Sequence, residues 1–246
     1  MKKTLESFLV LIVLGCFWWV VSNHTAIPAY FLPTPAAVMS ALIQNHALLW
    51  TAFAATFAEA ILGFLLALIL ALLLGFIGYL CPWFGRLLHP VVIISQALPM
   101  LILAPLIVLW LGFGWNAKLV VIVLSLFFPI LASFMIGLNQ VKPLYLDLAV
   151  TMGARRLRLF FLVAFPASLP YLAAGLRVAI TWSVLSALIA EWVGGSEGLG
   201  FVMQNALSRL DVALLFAALL ILVASTLFLY AMMSLLLSSK KYFDGS

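Results

Sequence analysis

The chain has 246 residues, 67% hydrophobic and 8% charged, with a mean hydropathy of +1.30; a soluble domain of this length cannot hide so much apolar surface, so lipid is its main solvent. Its 12 Lys and Arg against 7 Asp and Glu leave a net charge of +5, but the basic residues are scattered through short connections between apolar runs, which argues against a nucleic-acid surface. A helix crosses the hydrocarbon in about 20 residues, so this length holds roughly six crossings and no large soluble domain.

Lys2 and Lys3 precede an apolar run at 8–21 that predicts a first crossing entered from inside. Val13-Leu14-Gly15-Cys16 has the outline of a lipoprotein cleavage site, but the bulky Phe17-Trp18-Trp19 argues against processing there. Residues 22–48 are punctuated by Pro28, Pro33 and Pro35, and proline suits a first helical turn, so a rigid turn and a short interfacial helix are expected on the outer side. Residues 50–80 form a second crossing, longer than a perpendicular span needs, with Glu59 inside it. Arg86 marks an inner loop before a third crossing at 91–111, which holds Gln96, Pro99 and Pro105. GFGWN at 112–116 turns outside, and 118–138 returns inward past Ser125, Pro129 and Ser133. A polar stretch at 143–166 comes next, then a fifth crossing at 172–190 with Arg177 embedded. A glycine-rich outer segment at 191–210 leads to a sixth crossing at 212–237 and a tail with Lys240 and Lys241.

Translocation disfavours Lys and Arg in short outer loops. With this layout nine of the 12 basic residues fall inside, only Lys118 and Arg209 fall outside, and Arg177 lies in the membrane. Both termini are therefore expected on the cytoplasmic side of an all-α, multi-pass membrane protein.

The stretch PLYLDLAVTMGARRLRLFFLVAFP gathers Asp147, Arg155, Arg156 and Arg158 in an otherwise apolar chain. Pro143 suits a first helical position and Asp147 meets the positive end of a helix dipole. Gly153 weakens a helix by about 1 kcal/mol relative to alanine, which predicts a short helix, a glycine turn and a second short helix that stops before Pro166. By charge alone the arginines fit an inner loop among lipid headgroups as well as a docking surface.

The spacing of Asp147, Ala149, Gly153, Val163 and Pro166 resembles the EAA loop of ABC-importer permeases, with Asp147 in place of the usual glutamate, Leu148 of an alanine and Phe165 of the leucine before proline. FLPTPAAV, QALPMLILAPLIVLWLGFG, GLRVAI and AEWVGGSEGLG extend the resemblance along nearly the whole chain, to the permeases for aliphatic sulfonates, taurine, nitrate and the pyrimidine precursor of thiamine. FFPI at 127–130 and AEWVGGSEGLG at 190–200 lean towards the thiamine-precursor branch. The resemblance implies a type I importer fold in a bacterial inner membrane, moving a small polar solute by alternating access. It implies that 143–166 is the coupling loop, docking two cytoplasmic ATP-binding subunits through Asp147, Ala149, Gly153, Val163 and Pro166. It further implies pairing with a second copy and delivery of solute by an extracytoplasmic binding protein, with ATP and Mg held by the ATPase and no cofactor on this chain.

Ionisable groups inside a membrane cost about 3 kcal/mol on insertion scales and usually face a protein interior or a wet cavity. Glu59 and Arg177 are therefore pathway candidates; an interfacial position for Glu59, and snorkelling or a structural ion pair for Arg177, are the alternatives. Gln96 and Ser186, like Ser125, Ser133, Thr181 and Ser183, can bond a polar solute or hold helices together. Trp182 can stack on a planar ring or pack at the interface. Glu191, followed by Gly194, Gly195, Gly198 and Gly200, fits an outer gate or a plain surface turn.

No GxxxxGK[ST], GxSxG or HExxH occurs, and His24, His46, His89, Cys16 and Cys81 show no metal-ligand spacing, so catalysis by this chain is not expected. A different class of reading is an ion-coupled carrier with Glu59 and Arg177 as coupling charges; its uptake would collapse with the proton gradient and survive loss of any ATPase.

Overall fold

The computed structural model describes residues 13, 15–25, 28, 30–97, 99–141, 151 and 153–238. Among these every regular element is helical. The first crossing expected at 8–21 lies largely outside the described residues, although 15–24 are helical. That piece is pinned to the rest by Trp18, whose indole N–H donates to the Pro33 carbonyl at 3.0 Å and whose ring lies 6.0 Å from Phe216.

Helix α1 (Pro35–Gln44) begins where Thr34 Oγ1 accepts the Ala37 N–H at 3.2 Å, with Pro35 at the first position, where its missing N–H costs nothing. Helix α2 (His46–Leu80) has 35 residues. At 1.5 Å per residue that is about 52 Å, well beyond the ~30 Å of hydrocarbon, so it tilts or projects from the bilayer.

The stretch expected as a third crossing at 91–111 falls on two helices, α3 (Pro82–Ala97) and α4 (Met100–Leu111), with 107° between the axes of 82–95 and 100–111. Pro99, extended at ψ 113, sits between them: it has no N–H to give and disfavours helix in the residue before it. Pro90 and Pro105 are carried within α3 and α4.

After a turn in which Gly112 and Gly114 adopt φ of +80 and +125, α5 (Trp115–Leu138) enters the centre of the molecule. It packs most extensively on α7 (Phe165–Gly194) and on α2. Ile122, Leu126, Ile130, Leu131 and Phe134 are fully buried along it. In lipid there is little hydrophobic gain from bringing helices together, so close backbone approach has to hold them. Small residues supply it: a Cβ on Gly137 would lie 2.8 Å from Ser168 Cα, and one on Gly75 would lie 2.5 Å from Phe134 Cδ1.

The short helix α6 (Arg156–Leu159) does not stop before Pro166 as the proline predicts; it runs through a π-helical turn at Phe160–Ala164 into α7. In a regular α-helix Pro166 would clash with the carbonyl four residues back. The wider turn, in which Phe165 N–H donates to Phe160 O, absorbs the proline without breaking the rod. Helix α7 also extends to Gly194, so Glu191 lies in its last turn, and α8 (Leu199–Ser208) fills the segment that follows. Asp211 Oδ1 then accepts the Leu214 N–H at 3.1 Å at the start of α9 (Val212–Ser238).

Four stretches are long and apolar enough to cross a membrane: His46–Leu80, Trp115–Leu138, Arg156–Gly194 and Val212–Leu237. The bent α3–α4 pair makes a fifth if it is counted as one span. Their outward faces carry residues such as Ile69, Leu73, Leu227 and Phe228, exposed to what is lipid in the membrane.

Candidate functional site

At the end of the bundle where α5 and α8 begin and α7 finishes, four helices converge on one polar cluster. Helix α2 contributes Thr56 and Glu59, a turn apart; α5 contributes Lys118, α7 Glu191, and α8 the N–H groups of Leu199 and Gly200. Glu59 and Glu191 are completely buried and Lys118 is 2% exposed.

Lys118 Nζ pairs with Glu59 Oε1, and from the outside the exposed Glu197 brings its Oε1 to 3.9 Å of the same nitrogen. Glu59 Oε2 is buried with no hydrogen-bond partner among the described residues. Lys118 reads in the sequence as an outer-loop charge; the structure places it in the first turn of α5, facing inward.

The Thr56 hydroxyl donates to Glu191 Oε1 at 2.6 Å and accepts the Leu199 N–H at 2.8 Å, while Gly200 N–H donates to Glu191 Oε2 at 2.6 Å. A carboxylate thus occupies the N-terminus of α8, where the helix dipole and unpaired N–H groups favour negative charge. The acid reaches this position because the loop between α7 and α8 has no side chains in its way. Gly198 has φ +103, and a Cβ there would overlap the Glu191 carboxylate; a Cβ on Gly200 would stand 2.8 Å from Glu191 Oε2. The arrangement locks the 195–208 segment onto α2 and α7. It gathers no metal-ligand set: among the described residues no group of three His, Cys, Asp or Glu could hold an ion.

The other expected site residues are dispersed. Ser186 is buried in α7. Trp182 is 55% exposed on the same helix, and Arg177 is half-buried with its shielded Nε unpartnered among the described residues. Gln96 lies in α3, its side chain outside the described residues. Asp147 and Ala149 also lie outside them. Gly153 adopts φ +78, Val163 is half-buried in the π turn, and half-buried Pro166 sits inside the continuous helix. Of those the structure describes, Glu59 and Glu191 are the two brought to one place.

Sequence reasoning missed Thr56 and Lys118 as cluster members. The available signal was Thr56 one turn from an intramembrane acid, and a lysine three residues into a helix that follows a double-glycine turn.

Residues 63–241 match the family described as binding-protein-dependent transport system inner membrane component. A probable ABC transporter permease protein of Haemophilus influenzae is 42% identical over 93% of this chain and 93% of its own length. Formylaminopyrimidine transport permease protein ThiX of Halalkalibacterium halodurans is 33% identical over 89% of this chain and 88% of its own. Taurine transport system permease protein TauC of Escherichia coli is 31% identical over 83% and 77%. In fold, the chain is similar to the inward-facing MetNI methionine ABC transporter, with a TM-score of 0.58 at 18% identity over 76% of this chain and 97% of the matched one.

Proposed function

Because the chain belongs to the family of binding-protein-dependent transport system inner membrane components, and is thus an ABC importer permease crossing the inner membrane several times, we propose that its solute is a planar nitrogen heterocycle of the formylaminopyrimidine kind. The observation that carries this reading is the similarity to the formylaminopyrimidine permease along nearly the whole length. Trp182, exposed on α7 as a stacking surface, and the half-buried guanidinium of Arg177, a donor for a ring nitrogen or the formyl oxygen, support it. The similarity to a taurine permease keeps a sulfonate as the second reading, and a guanidinium suits that anion too. Cells carrying the whole transporter should accumulate labelled formylaminopyrimidine, and unlabelled compound but not excess taurine should compete. Accumulation of taurine alone would replace the first reading with the second.

The chain works, in this reading, as one of two permease copies fed by a binding protein and driven by two ATPase subunits that hold ATP and Mg and dock on 143–166. What supports the docking role is the shape of its described part. Gly153 makes a turn at a φ unfavourable to other residues, with no described residue near a Cβ, and Arg155, Arg156 and Arg158 stand exposed beyond it. Gly153→Arg should cost about 1–2 kcal/mol of local strain, leave the helical bundle folded, and abolish both ATPase co-purification and ATP-driven uptake. An ATPase that stays bound to the variant with uptake intact would remove the coupling role from this turn.

A further inference from the structure

We propose that the opposite end of the bundle holds a binding site for the phosphate of an anionic phospholipid. A cavity of about 480 Å³ opens where α2 ends, α3 begins, α5 ends and α6 begins; its polar lining is Tyr79, Arg86, His89, Asn139 and Arg156.

The walls explain how these side chains converge. The chain reverses between Leu80 and Pro82, and the reversal is tight because two glycines meet: a Cβ on Gly85 would lie 2.7 Å from Gly78 O. That turn folds α3 back so that Arg86 and His89, three residues apart and hence on one helical face, line the same space as Tyr79. From the other side Arg156 at the start of α6 places its guanidinium carbon 5.9 Å from the Tyr79 ring centroid, within cation–π range.

Among the described residues the charge is unbalanced. Of the described acids, Glu59, Glu191 and Glu197 belong to the distant cluster and Asp211 caps α9; both ion pairs among the described residues are made by Lys118. Two guanidinium groups, a phenol and an amide therefore face one cavity with no carboxylate among its described lining. Such a donor set fits a phosphate oxyanion.

The rim selects the source. Pro82, Met135 and Leu138 form an apolar rim beside these donors in the same cavity. A free phosphate ester has no use for that apolar rim, whereas a phospholipid fills both parts. Basic pockets between membrane helices hold anionic headgroups by this combination.

The test is lipid retention by the purified transporter complex in nanodiscs of phosphatidylcholine with and without phosphatidylglycerol, read by native mass spectrometry after transfer to detergent. Wild-type complex should keep phosphatidylglycerol and unfold at a higher temperature with it. Arg86→Gln combined with Arg156→Gln should retain it roughly 30-fold more weakly, as for two basic groups lost near an anionic surface. Arg155→Gln combined with Arg158→Gln, outside the cavity lining, should retain it as wild type does, and Arg86→Lys with Arg156→Lys should keep a large part. Equal loss in both glutamine pairs would reduce the effect to diffuse attraction and overturn the site. So would stabilisation by inorganic phosphate equal to that by the lipid, or retention seen only after the ATPase subunits are removed.

Discussion

Lys118→Met is expected to lower the unfolding temperature of the purified protein by roughly 10 °C, the effect of losing about 3–5 kcal/mol in a chain of this size. The methionine fills similar space, so packing changes little. What changes is that Glu59, completely buried and with one oxygen already unpartnered, keeps its charge environment without its cation. The double variant Glu59→Leu, Lys118→Met should recover most of the loss, because replacing both members of a buried pair by apolar groups removes the desolvation cost along with the attraction. Thermal unfolding of the wild type, the single and the double variant in one detergent checks the asymmetry. A double variant as unstable as the single one would mean the pair has another role than mutual compensation.

Gly198→Ala should be the most damaging single methyl in the 191–210 segment. It meets two obstacles: a φ of +103 that costs an L-residue about 1–2 kcal/mol, and a Cβ that collides with the Glu191 carboxylate. Displacing that carboxyl group breaks the bonds from Thr56 and Gly200 and leaves buried polar groups unsatisfied, at about 1–3 kcal/mol each. Loss of roughly 4 kcal/mol or more is expected, with transport abolished even in protein that still inserts. Gly112→Ala provides the contrast: its φ of +80 carries the same strain, but no described residue lies within 4 Å of the new Cβ. It should cost only the strain and leave uptake near normal. Equal damage from both substitutions, by unfolding and by uptake, would show that conformation and not the Glu191 lock is what Gly198 serves.

These two predictions rest on contacts that no local pattern announces. Glu59 and Lys118 are 59 positions apart, Thr56 and Glu191 135. Each looks ordinary in its own segment, and Lys118 follows a glycine turn in a way that reads as loop. The broken third segment was partly visible, because Pro99 was in plain sight, but several prolines in this chain do not break their helices. Pro129 and Pro170 ride inside α5 and α7, and Pro166 is absorbed by a π turn. Which proline breaks a helix depends on what is packed around the freed carbonyl, and a sequence window does not contain that.

By itself the sequence determined the solvent, the helical class and the family. Apolar runs long enough to cross lipid must be helices, since only a helix satisfies its own backbone there, and the spacing around Gly153 together with the motifs along the chain carries the importer resemblance. Only the tertiary structure decided how the helices use their few polar residues. In lipid a buried charge must find its partner on another helix, and that partner is set by tilt, rotation and the glycine contacts that allow α2, α5, α7 and α8 to close on one another.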